Sequence, residues 1–212
     1  MIIWKKDAKK YLNIDILPQL SNGPSTSWKP SLEPQRQTPG MKAVLKKYDS
    51  AKKFLLGCNP SAQLIACRDP EYCFFGVSPT LTELNLAYGP RTAEQWLVPQ
   101  VTDVSLNCGL KEDASEEQIA TVAVGIVSLC AWLKIGELLL FFFYFKCGKY
   151  LKFYSRFDTQ IFMQSLRLFL DERAAKYDAH DRLLRAKRDE EDRGKAITYE
   201  QYLELKGKGS SP

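Results

Sequence analysis

Histidine is almost missing from this chain: His180 is the only one, and it lies in a run of charged residues. A lone imidazole in that setting makes a poor general base. No GxxxxGK[ST] or GxGxxG stretch occurs, so the glycine-rich loops that cradle phosphates are missing, and no GxSxG offers a nucleophile elbow. There is no CxxC pair, and His180 is remote from the Cys58–Cys73 cluster, which disfavours a metal site. The carboxylates of DERAAKYDAHD and RDEED are interspersed with arginine, as on a solvated helix laced with ion pairs. These absences point away from an enzyme and from any cofactor. Nor does MIIWKKDAKKYLN read as a secretory leader, because lysines interrupt its apolar residues. The six cysteines (58, 67, 73, 108, 130 and 147) are therefore expected as reduced thiols in a cytoplasmic protein, with Cys108, Cys130 and Cys147 serving as small hydrophobes.

Apolar residues, by contrast, are plentiful. They make up 45% of the 212 residues, and aromatics 12%, enough for a packed core. The net charge of +5 is unevenly spread. Residues 1–53 hold 11 Lys/Arg against 4 Asp/Glu, residues 54–145 hold 4 against 10, and residues 146–212 hold 15 against 11. Two basic ends flank an acidic, apolar middle. Such ends suit a polyanionic partner such as nucleic acid, and they also suit plain solubilisation by lysine.

The patterning indicates an all-α protein, with one small β-hairpin possible near residues 63–77 where two short apolar runs flank Arg68-Asp69-Pro70-Glu71. Residues 1–40 read as a basic arm and a proline-rich linker. Residues 41–177 read as a helical core domain, and 178–212 as a projecting charged helix and tail. Within the core domain, MKAVLKKYDSAKKFLLG is expected as one amphipathic helix ended by Gly57. The next should open with Ser78 as cap and Pro79 in its first turn, and end at Gly89. Thr92 and Gln95 are spaced as a capping box for a helix that Pro99 should kink or divide. Ser115 caps the most apolar segment, expected as one helix to Cys147 or Gly148. Asp158 opens the next helix, whose apolar stripe runs through Phe162, Leu166, Phe169, Leu170 and Tyr177, and Thr198 opens a short last one.

The apolar run between Ile119 and Phe145 has two readings. It is long enough to span a bilayer, but Lys134 and Glu137 interrupt it, and a central lysine costs about 2.5–3.5 kcal/mol on insertion scales. Amphipathic helices on both sides need something to bury against, and a helix apolar on nearly every side meets that need. A helical cluster around this central hydrophobic helix is the first reading. A membrane-associated protein anchored by residues 119–145 is the alternative.

Directly after that run, Lys146, Lys149, Lys152 and Arg156 alternate with Tyr150, Phe153, Tyr154 and Phe157. Cations neutralise phosphates while aromatic faces stack on unpaired bases, the composition of a single-strand platform. The competing reading packs the aromatics beneath the helix and lets the lysines reach outward. The candidate binding residues for nucleic acid or a partner are Lys146, Lys149, Tyr150, Lys152, Phe153, Tyr154 and Arg156.

The stretch from Ser78 to Gly109, followed by ELLLFFFYFKCGKYLKFYSRFDTQIFMQSLRLFLDER, resembles an uncharacterised family of bacterial mobile-element and phage proteins. That family shows an F-x-x-F-K-x-G-x-Y-x-x-F-Y segment before a helix opened by Asp. The matching residues are Phe142, Phe145, Lys146, Gly148, Tyr150, Phe153, Tyr154 and Asp158, and the likeness spans residues 78–173. Leu151 and Ser155 stand where the family has glycines, which implies a stiffer loop. More loosely, the arrangement is similar to phage replisome organisers that deliver or inhibit a replicative helicase. The mobile-element family implies no activity; the looser likeness implies an accessory protein that binds a replication protein such as a replicative helicase. The cation and aromatic pattern adds single-stranded DNA or RNA as a candidate ligand. With catalytic motifs absent, the expectation is a non-enzymatic accessory protein of a phage or mobile element, with a membrane disfavoured by Lys134 and Glu137.

Overall fold

The structure is a computed structural model that describes residues 38–195 and, beyond them, Tyr202 and Leu203. The arm and linker expected over residues 1–40 fall almost wholly outside the described residues, as does the last helix from Thr198 except for those two positions. Among the described residues the protein is all-α, with nine helices and no strand. They are α1 (Pro39–Tyr48), α2 (Ala51–Gly57), α3 (Ala62–Ala66), α4 (Pro70–Phe75), α5 (Leu81–Tyr88), α6 (Thr92–Asn107), α7 (Glu116–Cys130), α8 (Ile135–Lys146) and α9 (Thr159–Lys195). The chain forms two compact units, Met1–Phe169 and Leu170–Pro212.

In the first unit α8 is the central element. Ile135, Glu137, Leu138, Leu139, Leu140, Phe141, Phe142 and Phe145 are all buried, and α3, α4 and α6 pack against it. Burying α8 on nearly every side is what its sequence demands, because only two residues between Ile135 and Phe145, Gly136 and Glu137, are not large and apolar. Its first turn approaches α4 closely: a Cβ at Gly136 would stand 3.4 Å from the backbone of Cys73. Phe141 meets Phe145, Tyr150, Phe162 and Phe169 at centroid distances of 5.5–6.0 Å. Phe142 reaches Trp96 of α6, which in turn meets Phe54 of α2. The Trp96 indole N–H donates to Cys58 O at 2.7 Å, and Gln100 Nε2 donates to the same oxygen at 2.9 Å.

Three expected elements take another form. The hairpin near 63–77 is absent; α3 and α4 stand there instead. Asp69 caps α4 through Tyr72 N at 2.9 Å, and Pro70 occupies its first position, where a missing N–H costs nothing. The expected single helix of residues 41–57 breaks into α1 and α2 at Asp49, which has φ of 58°, and Ser50, whose hydroxyl accepts from Lys53 N. The long helix after Ser115 breaks at Ala131–Lys134. That break is stabilised from a distance: Leu81 N donates to Leu133 O at 3.1 Å, Thr82 N to Ala131 O at 2.9 Å and Ile135 N to Pro79 O at 2.8 Å. Thr80 and Lys134 form an isolated antiparallel bridge in this seam. Glu137, fully buried, accepts from Lys134 N, and Lys134 Nζ donates to Phe74 O at 2.7 Å. The two residues that interrupt the apolar run therefore start a buried helix. Among the described residues no helix is long and apolar enough to cross a membrane.

Smaller shifts follow the same logic. Thr80, not Ser78, caps α5 in a full capping box with Glu83. Ser78 Oγ instead accepts from Gly136 N at 3.0 Å. Arg91 is the cap position of α6, Thr92 Oγ1 donates to Gly89 O, and the helix runs unbroken through Pro99. Ser115 caps α7, in a capping box with Gln118, as expected.

In the second unit Arg173 lies 4.3 Å from the Tyr177 ring, and residues 181–194 are all exposed. An exposed face rich in both charge signs is what the carboxylate and arginine pattern indicates.

Candidate nucleic-acid interface

The segment after α8 is set up by a glycine. Gly148 takes φ of 72°, Gly148 N donates to Phe145 O at 2.9 Å, and Lys149 N donates to Tyr144 O at 3.0 Å. This pair of bonds closes a helix with a left-handed residue, a conformation that glycine adopts without Cβ strain. The chain is thereby turned back over α8, and residues 149–158 cross to Asp158. The Asp158 carboxylate accepts from Gln160 N at 2.7 Å and Ile161 N at 3.1 Å, which starts α9.

Side chains along this crossing divide into two sets. Tyr150 packs on Phe141 and Phe169, Phe153 on Phe145 and Phe157, and Phe157 on Phe162. These rings fasten the loop to the core. Lys149, Lys152, Tyr154 and Arg156 are exposed, with Tyr154 97% exposed at the outermost position. Both readings of the sequence thus describe part of the loop: most aromatics pack, while the cations and one tyrosine face solvent.

Lys146 stands apart from the exposed set. Its ammonium lies 2.6 Å from Asp103 Oδ2 of α6, and the two side chains are 16% and 6% exposed. Lys149 Nζ sits 4.2 Å over the Tyr144 ring and 5.5 Å from the Tyr150 ring. Arg156 makes a two-point contact with Glu112, Nε to Oε2 at 3.0 Å and Nη2 to Oε1 at 3.1 Å, with both side chains well exposed.

Two participants went unnoticed in the sequence. The connection between α6 and α7 lies beside the loop: Lys111 N donates to Ser155 O at 3.1 Å, and Gln118 Nε2 donates to Phe157 O at 3.2 Å. Lys111, exposed, joins the cations, and Glu112 adds an anion that occupies the Arg156 fork. Some 44 residues separate Glu112 from Arg156, and no local signal links them.

The groups this surface presents to solvent include the cations and the Tyr154 ring. Of the thiols, Cys58, Cys73 and Cys130 are buried and Cys108 is half-buried. Burial pushes the thiols of Cys58 and Cys130 up, and those of Cys73 and Cys108 up to about 11, so all four stay protonated at neutral pH. Among the described residues no three His, Cys, Asp or Glu side chains converge as metal ligands would.

The site thus defines a class: a helical protein presenting a cationic surface loop seated on the core by its aromatic rings. Residues 115–209 match the model of a family of unknown function (DUF6633), so this chain is similar to that family over α7, α8, the loop and α9. Comparison with curated proteins and with solved structures found no match.

Proposed function

We propose that this chain is a non-enzymatic accessory protein of a phage or mobile element, acting in the cytoplasm, whose 149–156 loop contacts single-stranded nucleic acid beside a replication protein such as a replicative helicase. The observation that carries this reading is the fully exposed Tyr154 among Lys149, Lys152, Arg156 and Lys111, on a loop held by Tyr150 and Phe153. A ring already held in solvent can stack on a base without first leaving a core contact, and every base has a face to offer. The looser likeness to phage replisome organisers is what suggests the replication setting. The alternative, an anchor formed by residues 119–145, requires one long helix, whereas that run is divided between α7 and α8.

Binding of an unstructured oligonucleotide at several salt concentrations tests the proposal. Replacing Lys149, Lys152 and Arg156 by Ala should leave the melting temperature nearly unchanged, since exposed charges rarely contribute more than about 1 kcal/mol each. It should also flatten the log–log salt dependence of binding by about 2 units, at roughly 0.7 for each phosphate no longer neutralised. Tyr154→Ala should cost about 1–3 kcal/mol of binding without changing that slope. A wild-type chain that does not bind even at low ionic strength would remove the nucleic-acid part and leave the loop to a protein partner.

Glu112 provides a separate check with the opposite sign. If the Arg156 fork serves phosphate, Glu112 competes for it. Glu112→Gln should raise affinity about threefold at low salt, a gain that fits an exposed ion pair, and should do so far less in an Arg156→Ala background. Equal gains in both backgrounds would show a general charge effect and no role for the fork.

A further inference from the structure

A second surface, independent of the loop, lies on α2, α3 and α4. Between residues 56 and 77, Leu56, Leu64, Ile65, Tyr72 and Val77 are each more than half exposed, Ile65 at 68% and Val77 at 81%. Single exposed apolar side chains are ordinary, but so many on consecutive short helices mark a contact surface. Their inner faces are accounted for. Gln63 and Ala66 seat α3, and Cys73 and Phe74 seat α4, both helices packing on α8. The end of α2 is fixed to α6 by the two bonds to Cys58 O, and Gln63 Nε2 donates to Gln100 Oε1 at 2.7 Å, tying α3 to the same α6 side chain. The end of α2 and α3 thus share an inner side, and Leu56, Leu64 and Ile65 lie on the outer one.

Exposed cations are frequent in the same stretch of chain. Lys52 and Lys53 precede Leu56 by four and three positions, on the same side of α2. Lys46 and Lys47 end α1, and Arg68 follows α3; all five are exposed. Over residues 42–77 there are six cations and three acids, Asp49, Asp69 and Glu71. Asp49 is bound to Lys53 at 2.7 Å, which pairs off one cation, and Asp69 caps α4 while Glu71 is exposed, leaving a net charge of +3 over the stretch.

The chemistry selects the partner. Aliphatic tips do not stack on bases as Tyr154 can. Protein interfaces deplete lysine and concentrate their binding energy in tryptophan, tyrosine and arginine. Here one tyrosine, Tyr72, and one arginine, Arg68, stand among four aliphatic residues and four lysines. Exposed aliphatic tips in a stretch rich in long-stemmed cations match a bilayer surface, where the tips enter the acyl boundary and the charges reach headgroup phosphates. We infer that the outer face of α2–α4 is a peripheral contact site for an anionic lipid surface. It uses side chains already in solvent and leaves the core run of residues 119–145 in place.

Flotation of the full chain with vesicles tests this. The protein should float with phosphatidylcholine vesicles containing phosphatidylserine and much less with phosphatidylcholine alone, at about fivefold per engaged cation. Leu64→Ser with Ile65→Ser should lower partitioning at least about tenfold while the melting temperature holds, because both side chains are exposed. The Lys149, Lys152 and Arg156 triple alanine variant should float as wild type does, which separates this site from the loop. Three outcomes overturn the inference: no flotation with anionic vesicles at low salt, undiminished flotation of the Leu64/Ile65 variant, or self-association in solution that this variant abolishes. The last would assign the face to a second copy of the chain.

Discussion

Lys146→Ala is expected to destabilise the fold by about 3–5 kcal/mol, far more than loss of any other cation near the loop. Asp103 is buried on α6, and the Lys146 ammonium 2.6 Å away is its charge partner. Asn107 Nδ2 also reaches Asp103 Oδ1, at 3.2 Å, but an amide supplies only a partial charge. Removing the lysine leaves a carboxylate that can neither reach bulk water nor find another cation, and an uncompensated buried charge costs more than the pair contributed. Urea unfolding of the single variant and of the Lys146→Ala, Asp103→Asn double variant checks this. The double variant should regain most of the loss, because the orphaned charge is gone. A single-variant loss below about 1 kcal/mol would mean that the pair is solvated, and would return Lys146 to the binding set.

Phe141→Ala is expected to cost about 3–5 kcal/mol as well, by a different mechanism. The ring is fully buried among Phe145, Phe162 and Phe169, and it is also the seat of Tyr150. Truncation leaves a cavity whose walls belong to three chain segments, α8, the loop and α9, so collapse around it is difficult. A second effect should accompany the loss: without its seat under Tyr150, the loop should show faster amide exchange across residues 149–156 than the rest of the first unit. Chemical denaturation and hydrogen exchange read the two effects separately. A cost below about 1.5 kcal/mol, with unchanged exchange in the loop, would show that Tyr150 is held by other means.

The fold class was legible because helix ends are written locally. Ser115, Gly148 and Asp158 do what their side chains or their lack of one suggest. The start of α4 was written too, in Asp69 followed by Pro70, but the apolar runs on either side suggested a pair of strands. The break between α7 and α8 could not be read in the same way. Residues 131–134 lack a strong stop signal, and their backbone partners come from residues 79–82. The site divides similarly. Alternating cations and aromatics marked the loop, yet which rings pack and which stands free depends on where the core lies. Nothing near Lys146 announces Asp103, 43 residues away, and nothing near Arg156 announces Glu112.

The seam between residues 79–82 and 131–135 bears on how the first unit is held together. Its partners are separated by 49 residues at Thr82 and Ala131, and closing a loop of that size costs on the order of 3 kcal/mol in chain entropy. The seam's hydrogen bonds, at about 1 kcal/mol net each, do little more than offset that cost. The intervening chain is held compact by α5, α6 and α7, with α6 packed on α7, which shortens the span the seam has to close. The seam is therefore a fastening whose net contribution depends on that packing. Once made, it fixes where α8 begins, and through α8 it fixes where the turn at Gly148 delivers the loop.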